Sequence, residues 1–368
     1  MKIAIVLNTS WNIYNFRKCL VNSLMDKGNE VITIAPKDHF TSKLEDMGCH
    51  HIPVKMDSRG ANPLKDFLLI FELFWIYKKA KPDVILHYTV KPNIYGTIAA
   101  SLLKIPVINN VCGLGTIFLT NNLVSKIAIT LYRIAFRFPK MIFFQNKDDK
   151  ELFIQRNIVK REICGLLPGS GINTNDFSPR SKAKKSTKFT FLLISRLIYD
   201  KGILEYIDAI EVLKRQGFEA KFQLLGQIDE EHKRGIPAKT VQSWIEKNQV
   251  EYLGTTEDVR TYIQNADCVV LPSYREGTPK TLLEAASMAK PIVATDVPGC
   301  NNVVKNGLNG FLCKLKDSDD LAEKMKLMAS QNQESRSKMG ELSRAYVKHN
   351  FAEKIVFDKY HSAISKVN

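Results

Sequence analysis

Short apolar runs alternate with helix-period segments along this chain, twice over, and that alternation narrows its fold more than any single motif. In the first half the runs fall at 2–8, 30–36, 50–56, 84–89, 106–111, 140–146 and 163–168. Helical patterns lie between them near 14–26, 64–80, 93–103, 123–138 and 148–157. The runs are apolar almost throughout, so each strand must be covered on both faces. That predicts an α/β fold built on a parallel sheet between helical layers. Residues 169–188, GSGINTNDFSPRSKAKKSTK, break the pattern with Gly, Pro, Ser and a basic run. Strands then resume at 189–195, 221–225, 250–253, 268–273, 291–295 and 310–314. Two helices near 318–348 follow, and FAEKIVFDKYHSAISKV ends the sequence as one more amphipathic helix.

A length of 368 residues exceeds one comfortable core. The expected division is a first domain at 1–175, a linker at 176–188 and a second domain at 189–350. Cys19, Cys49, Cys112, Cys164, Cys268, Cys300 and Cys313 form no CxxC pair, which reads as reduced thiols in a cytoplasmic protein. MKIAIVLN suits a first strand better than an export signal, and FLLIFELFWIY (67–77), interrupted by Glu72, is too short to span a bilayer. The net charge of +15 asks for an acidic partner: nucleic acid, an anionic membrane or a diphosphate. Residues 121–140 carry Lys126, Arg133, Arg137 and Lys140, with no acid, on an amphipathic pattern. Two readings stand for this segment: docking on an anionic leaflet, or packing on its own sheet with solvated cations. No stacking-aromatic motif accompanies the charge, so nucleic acid is not expected as a partner.

The richest local signal is LPSYREGTPKTLLEAASMAKPIVATD, residues 271–296. It reads as strand, tight loop with Glu276, helix with Glu284, and strand. Thr278 is expected as the N-cap and Pro279 as the first helical residue. A helix start favours an anion, and two carboxylates beside it can accept from sugar hydroxyls. A nucleotide-sugar fits both. Arg196 and Lys201, in LLISRLIYDKGI, leave the first strand of the second domain, where doubly wound sheets bind ligands. Two cations there would neutralise a diphosphate and the charge that builds on it.

The E-x7-E spacing with its EG-x-P turn and flanking apolar strands resembles the signature of family 4 glycosyltransferases. These are retaining enzymes of the GT-B fold. The likeness runs over nearly the whole chain. It includes the YNFR turn, HYTVKPNIYG (87–96), NNVCGLGTIF (109–118) and FFQNKDDKELF (143–153), which are similar to bacterial capsule, O-antigen and N-glycan transferases extending lipid-linked sugars. The resemblance implies two Rossmann-like domains facing a cleft, with the tail at 351–368 packed back on the first. It implies Glu276 beside the donor sugar, Glu284 on the ribose, and Arg196 with Lys201 on the diphosphate. Gly277, Thr278 and Pro279 would border that site, and backbone groups at Gly226, Leu253 and Gly254 would hold the base. The plainer alternative for Gly226 and Gly254 is turn geometry alone.

The same resemblance puts the acceptor on the first domain. Arg17 would meet its diphosphate, and Lys91 and Asn93 would touch the acceptor or a donor phosphate. The plainer alternatives are a solvated Lys91 and an Asn93 that caps the next helix. Many family members carry a His after the strand matching 106–111, but here the loop is Asn109-Asn110-Val111-Cys112-Gly113. His87 is no assured substitute, and amides of Gly113 to Gly115 would serve the phosphate instead. Asp317-Ser318-Asp319 is a DxD triplet, yet its place at a helix start is explained by capping. No metal cofactor is expected. The implied function is transfer of a hexose or N-acetylhexosamine from a UDP-sugar to a polyprenyl-diphosphate-linked saccharide, at the inner face of the membrane. Two alternatives remain: a UDP-N-acetylhexosamine epimerase of the same fold, and a non-catalytic basic membrane-binding protein.

Overall fold

A computed structural model describes residues 1–57, 62–114, 123–180 and 188–367. They form two units, Met1–Ser170 with Glu353–Asn368, and Gly171–Ala352. The first unit opens with β1 (Lys2–Val6), α1 (Ser10–Met25), β2 (Glu30–Ala35), α2 (Thr41–Asp46), β3 (His50–Pro53) and α3 (Pro63–Ala80). β4 (Val84–Tyr88) leads into a π-helical turn (Pro92–Gly96) and α4 (Thr97–Leu102). β5 (Val107–Val111), α5 (Leu123–Ala135), β6 (Met141–Phe144), α6 (Lys147–Gln155) and β7 (Cys164–Leu166) follow. All the strands pair in parallel, in the order β3-β2-β1-β4-β5-β6-β7. The order reverses between β1 and β4, which leaves a crevice at their carboxyl ends.

The second unit repeats this plan. It comprises β8 (Thr190–Ile194), α7 (Ile203–Arg215), β9 (Lys221–Leu225), α8 (Ala238–Glu246), β10 (Glu251–Tyr252) and α9 (Arg260–Asn265). Then come β11 (Cys268–Leu271), α10 (Lys280–Ser287), β12 (Ile292–Thr295), α11 (Cys300–Val303) and β13 (Gly310–Cys313). α12 (Ser318–Ser330) and α13 (Gln333–Asn350) complete it. The sheet order β10-β9-β8-β11-β12-β13, again all parallel, reverses between β8 and β11. α14 (Glu353–Val367) belongs to the first unit. Val356, Tyr360, Ala363 and Ile364 form its buried stripe, and the His361 ring shares a 2.8 Å hydrogen bond with Ser23 Oγ of α1.

Residue chemistry sets the helix starts. Thr9, Asn62, Asn146, Asp317 and Asn332 each accept a backbone N–H at the head of α1, α3, α6, α12 and α13. Asp317 of the DxD triplet is therefore a cap, accepting from Asp320 N at 2.8 Å. Two differences from the sequence reading concern helix and domain edges. Residues 171–180, expected to divide between first domain and linker, group with the second unit, where Ile172 N donates to Phe351 O. Asn93 is no cap: it lies inside the π-helical turn, buried, and its Nδ2 donates to Asn110 O at 2.9 Å.

His87 is a core residue. Its ring is completely buried, 2.9 Å from the Tyr77 hydroxyl and 3.2 Å from Asn109 Oδ1, with Thr97 Oγ1 at 3.3 Å. A Cβ on Gly96 would come within 2.6 Å of His87 Nε2, so the turn after β4 packs directly on the ring. Burial pushes the imidazole from 6.5 down to about 3, opposed by its hydrogen bond to Asn109. The unfolded chain therefore binds the proton first, and stability is lost as pH falls from 6.5 towards 3. His87→Gln is expected to flatten the fall in Tm across that window relative to the parent protein, as read by thermal melts.

Candidate functional site

The residues that the sequence reading assigns to the second domain converge at the carboxyl ends of β8 to β12. Arg196 leaves β8 half-exposed, its Nη1 3.7 Å from Oδ2 of the buried Asp229 on the β9 loop. Lys201 ends a short 3-10 turn, Tyr199–Lys201, and its ammonium is hydrogen-bonded and ion-paired to Glu276 Oε1 across to the β11 loop. The same carboxylate oxygen accepts from Ser273 Oγ at 2.7 Å. Glu276 and Lys201 are mostly covered, so this ion pair is shielded from solvent screening. Lys201 and Ser273 thus both hold Glu276 through this oxygen.

Backbone crowding makes this placement possible. Gly299, at φ +90°, lies where a Cβ would stand 2.6 Å from Glu276 O and 2.7 Å from its Cβ. Glu276 N donates to Pro298 O at 3.1 Å, so the β12 loop clamps the carboxylate-bearing loop from behind. Gly226, at φ +150°, would put a Cβ 1.7 Å from Ser195 O, which lets the β9 exit lie directly on the β8 exit. Gly226 N donates to Gly254 O at 2.8 Å, and the Tyr252 hydroxyl donates to Gly226 O at 2.9 Å. Leu253 N donates to Leu224 O, continuing the ladder. Leu253, Gly254 and Gly226 therefore form one stitched backbone surface beside Arg196. Ser273 and Gly299 escaped the sequence reading; the Pro298-Gly299 dipeptide just after a strand was the available signal.

α10 starts one residue later than expected. Pro279 has an extended backbone (φ −71°, ψ 116°) and occupies the N-cap, so Thr278 lies before it in the loop with Gly277. Pro279 cannot donate a backbone hydrogen bond, and its carbonyl accepts from Leu282 N and Leu283 N. Thr281 Oγ1 donates to Ile194 O at 3.3 Å, tying the first turn of α10 to the end of β8. Glu284 sits one turn further on, buried, 3.8 Å from Lys280 Nζ. Burial raises its carboxyl from 4.5 to about 7, against the pull of Lys280 and with repulsion from Asp258. A carboxyl so placed gains from hydroxyl donors that replace lost water.

The first unit holds the other candidates at the ends of β1, β4 and β5. Arg17 is buried, 5 % exposed, with Nη1 donating to Phe16 O and Nη2 3.4 Å from Cys112 Sγ. Its guanidinium lies 4.4 Å from the Tyr88 ring centroid, and its Nε has no partner. Among the described residues no carboxylate pairs with it, so a buried cation is left for an anion to meet. Asn110 Nδ2 donates to the Tyr360 hydroxyl at 2.8 Å, which brings α14 to the same place. Lys91 is not solvated: it is mostly covered and ion-paired with Asp66 of α3 at 2.6 Å. Gly113 follows β5 at φ +136°, and Gly115 lies outside the described residues. Among the described residues no group of three His, Cys, Asp or Glu side chains could hold a metal ion.

Comparison with known proteins agrees with this arrangement. Residues 174–346 match the family described as glycosyl transferases group 1, and residues 2–146 match glycosyl transferase 4-like. The chain is 31 % identical over 344 residues to a Campylobacter jejuni protein, across 89 % of each. That relative is N,N'-diacetylbacillosaminyl-diphospho-undecaprenol alpha-1,3-N-acetylgalactosaminyltransferase. This chain is also 26 % identical, over 71 % of its length and 70 % of the other, to the Escherichia coli UDP-Gal:alpha-D-GlcNAc-diphosphoundecaprenol alpha-1,3-galactosyltransferase. Among solved structures, Anabaena HepE in complex with UDP superposes with a TM-score of 0.78 at 20 % identity over the full length of both chains. A Rickettsia africae glycosyltransferase gives 0.80 at 18 % identity, over 100 % of this chain and 98 % of the other. The fold is GT-B, as the sequence resemblance implied.

Two outcomes follow from this geometry. Gly299→Ala should destabilise by about 1–3 kcal/mol, because it combines an unfavourable φ with a backbone clash; a Tm equal to the parent's would refute the clamp. Glu284 holds its proton more tightly folded than unfolded, so its contribution is present below 4.5 and lost as pH rises through 7. Glu284→Gln should therefore raise Tm at about pH 8, with the gain vanishing by about pH 4.5.

Proposed function

Because this chain belongs to the group 1 glycosyl transferases, we propose that it is a retaining enzyme moving a hexose or N-acetylhexosamine from a UDP-sugar to an undecaprenyl-diphosphate-linked saccharide. The observation that carries this reading is the likeness, over 89 % of both chains, to a transferase whose name specifies a diphospho-undecaprenol acceptor. The Escherichia coli relative's name adds a UDP-sugar donor and an alpha product. UDP-galactose is itself an α-glycoside, so an α product means retention. A Staphylococcus aureus protein, 24 % identical over 93 % of this chain and 91 % of the other, is named for capsular polysaccharide biosynthesis, the setting we propose here.

The donor diphosphate would lie between Arg196, Lys201 and the start of α10, three sources of positive charge at one sheet end. Glu284 would accept from the ribose hydroxyls, and Gly226, Leu253 and Gly254 would present backbone groups to the base. Glu276, steadied by Lys201 and Ser273, would face the sugar. As the glycosidic bond breaks, the charge growing on the diphosphate is stabilised by Arg196, Lys201 and the helix start. The departing diphosphate takes the acceptor hydroxyl's proton through a phosphate oxygen on the same face, while the acceptor's oxygen forms the new bond to the anomeric carbon. With this much fixed positive charge, the reaction is proposed to need no metal. Arg17, a buried cation without a carboxylate, would receive the acceptor diphosphate. Among the described residues no helix is long and apolar enough to cross a membrane. We therefore propose peripheral attachment to the inner face of the membrane, aided by the exposed cations of α5.

The test is a screen of UDP-sugars against undecaprenyl-diphosphate-linked mono- and disaccharides, run in EDTA, with the anomeric configuration of the product read by NMR. Glu276→Ala is expected to lose roughly a thousandfold or more in transfer, and Glu284→Gln about tenfold in UDP affinity by calorimetry. Wild-type transfer by Glu276→Ala would remove that residue from the mechanism. Preference for GDP-sugars would overturn the donor class, and UDP-sugar turnover without acceptor would establish the epimerase instead.

A further inference from the structure

α3 carries two apolar stripes where a surface helix needs one. Its inner stripe, with Leu69, Leu73 and Tyr77 buried, packs into the core beside Val54, Met56 and Ala99. That stripe is sufficient to hold the helix. The outer stripe consists of Leu64, Phe67, Leu68, Phe71 and Trp75, which are 68 %, 56 %, 57 %, 51 % and 60 % exposed. Their spacing of three and four residues aligns them along one face. The Phe67 and Phe71 rings meet edge to face at 5.1 Å. Isolated exposed apolar residues are ordinary, but five on one helical face mark a contact surface.

The exposed charges on the helix are all lysines. Lys65, Lys78 and Lys79 are exposed on the helix, with Lys81 at its end, and Lys78 Nζ lies 4.8 Å from the Trp75 ring centroid. The helix's own acids are engaged elsewhere: Asp66 is buried on Lys91, and Glu72 accepts from Lys55 N at 2.9 Å. α3 and α5 both pack against the π-helical turn, so they belong to one helical layer. α5 exposes Lys126 and Arg133 together with Ile127 and Ile134, and Arg137 is exposed just past its end. Leu102 at the end of α4 is 65 % exposed in the same layer.

We propose that the outer face of α3 is the surface on which this protein seats on an anionic lipid bilayer, with Phe67, Phe71 and Trp75 entering the headgroup region. The proposal rests on the reading that the acceptor is lipid-linked. Charge decides the occupant. A second copy of the chain would bring lysine against lysine, whereas anionic headgroups satisfy the cations while the acyl boundary takes the aromatic rings. Trp beside Lys on an apolar helix is the composition that settles at membrane interfaces. The buried Asp66–Lys91 pair then ties the lipid-facing helix to the loop that follows β4, on the unit proposed to receive the lipid-linked acceptor.

The experiment compares the full-length protein with Phe67→Ser/Phe71→Ser/Trp75→Ser in flotation with vesicles of phosphatidylcholine containing one third phosphatidylglycerol. Thermal melts check that both proteins are folded. The parent is expected to bind these vesicles, and to bind pure phosphatidylcholine vesicles at least about tenfold more weakly. The triple variant is expected to lose about tenfold or more on the anionic vesicles while keeping transfer onto a short-chain, water-soluble acceptor diphosphate. Equal vesicle binding by parent and variant would overturn the proposal. So would a parent dimer, seen by light scattering, that the triple variant converts to monomer without any change in vesicle binding. Loss of transfer onto the short-chain acceptor by both proteins would count against the proposed reaction, and leave the docking result to stand by itself.

Discussion

The second unit depends on one crowded junction, where the loops leaving β8, β11 and β12 are pressed together around the Lys201–Glu276 ion pair. A carboxylate this well covered is costly unless paired, and a lysine this well covered likewise. Each makes the other tolerable, and the pairing fixes both relative to Arg196. The pair can exist only because Gly299 lets the β12 loop lie against the backbone of Glu276. Removing either partner leaves a charge in a place built for two. Removing the glycine's freedom moves the loop that carries one of them.

Charge is handled differently in the two units. In the second, cations and carboxylates alternate around the strand ends, from Arg196 and Asp229 to Lys201 and Glu276 and on to Lys280 and Glu284. Such an arrangement accepts a ligand carrying both a diphosphate and hydroxyl groups. In the first unit the buried groups are settled one by one. His87 stays neutral among Tyr77, Thr97 and Asn109, and Lys91 is matched by Asp66. Arg17 is the exception, resting on an aromatic ring and a thiol with no carboxylate among the described residues. It stands at the reversal of strand order between β1 and β4, where a doubly wound sheet leaves room for a ligand.

The excess of positive charge also has a spatial meaning. Cations border the apolar stripe of α3 and line the exposed side of α5, both in one helical layer of the first unit. A protein whose substrate is anchored in a bilayer gains effective concentration by being held at that surface. The apolar residues of α3 supply contact area that is insensitive to salt, and the lysines supply attraction that salt weakens. The two contributions can therefore be separated by ionic strength as well as by substitution.

The sequence by itself determined the two sheets, because near-continuous apolar strands alternating with helical periods leave few other ways to bury both strand faces. Its caps were equally legible where the side chain does the capping, as at Asp317. The Glu276, Arg196 and Lys201 set was legible because each lies just past a strand, and a parallel sheet gathers such positions at one edge. Pro279 was misplaced by one residue, since its fixed φ suits an N-cap as well as a first turn and only the backbone around it chooses. Only tertiary structure decided which groups meet. Lys201 pairs with Glu276 across 75 residues, Gly299 backs that pair, and Lys91 turns inward to Asp66. It also decided that FLLIFELFWIY keeps Phe67, Leu68, Phe71 and Trp75 outside. Periodicity shows how many faces of a helix are apolar, but the single contact stripe that a sheet offers determines which of them remains uncovered.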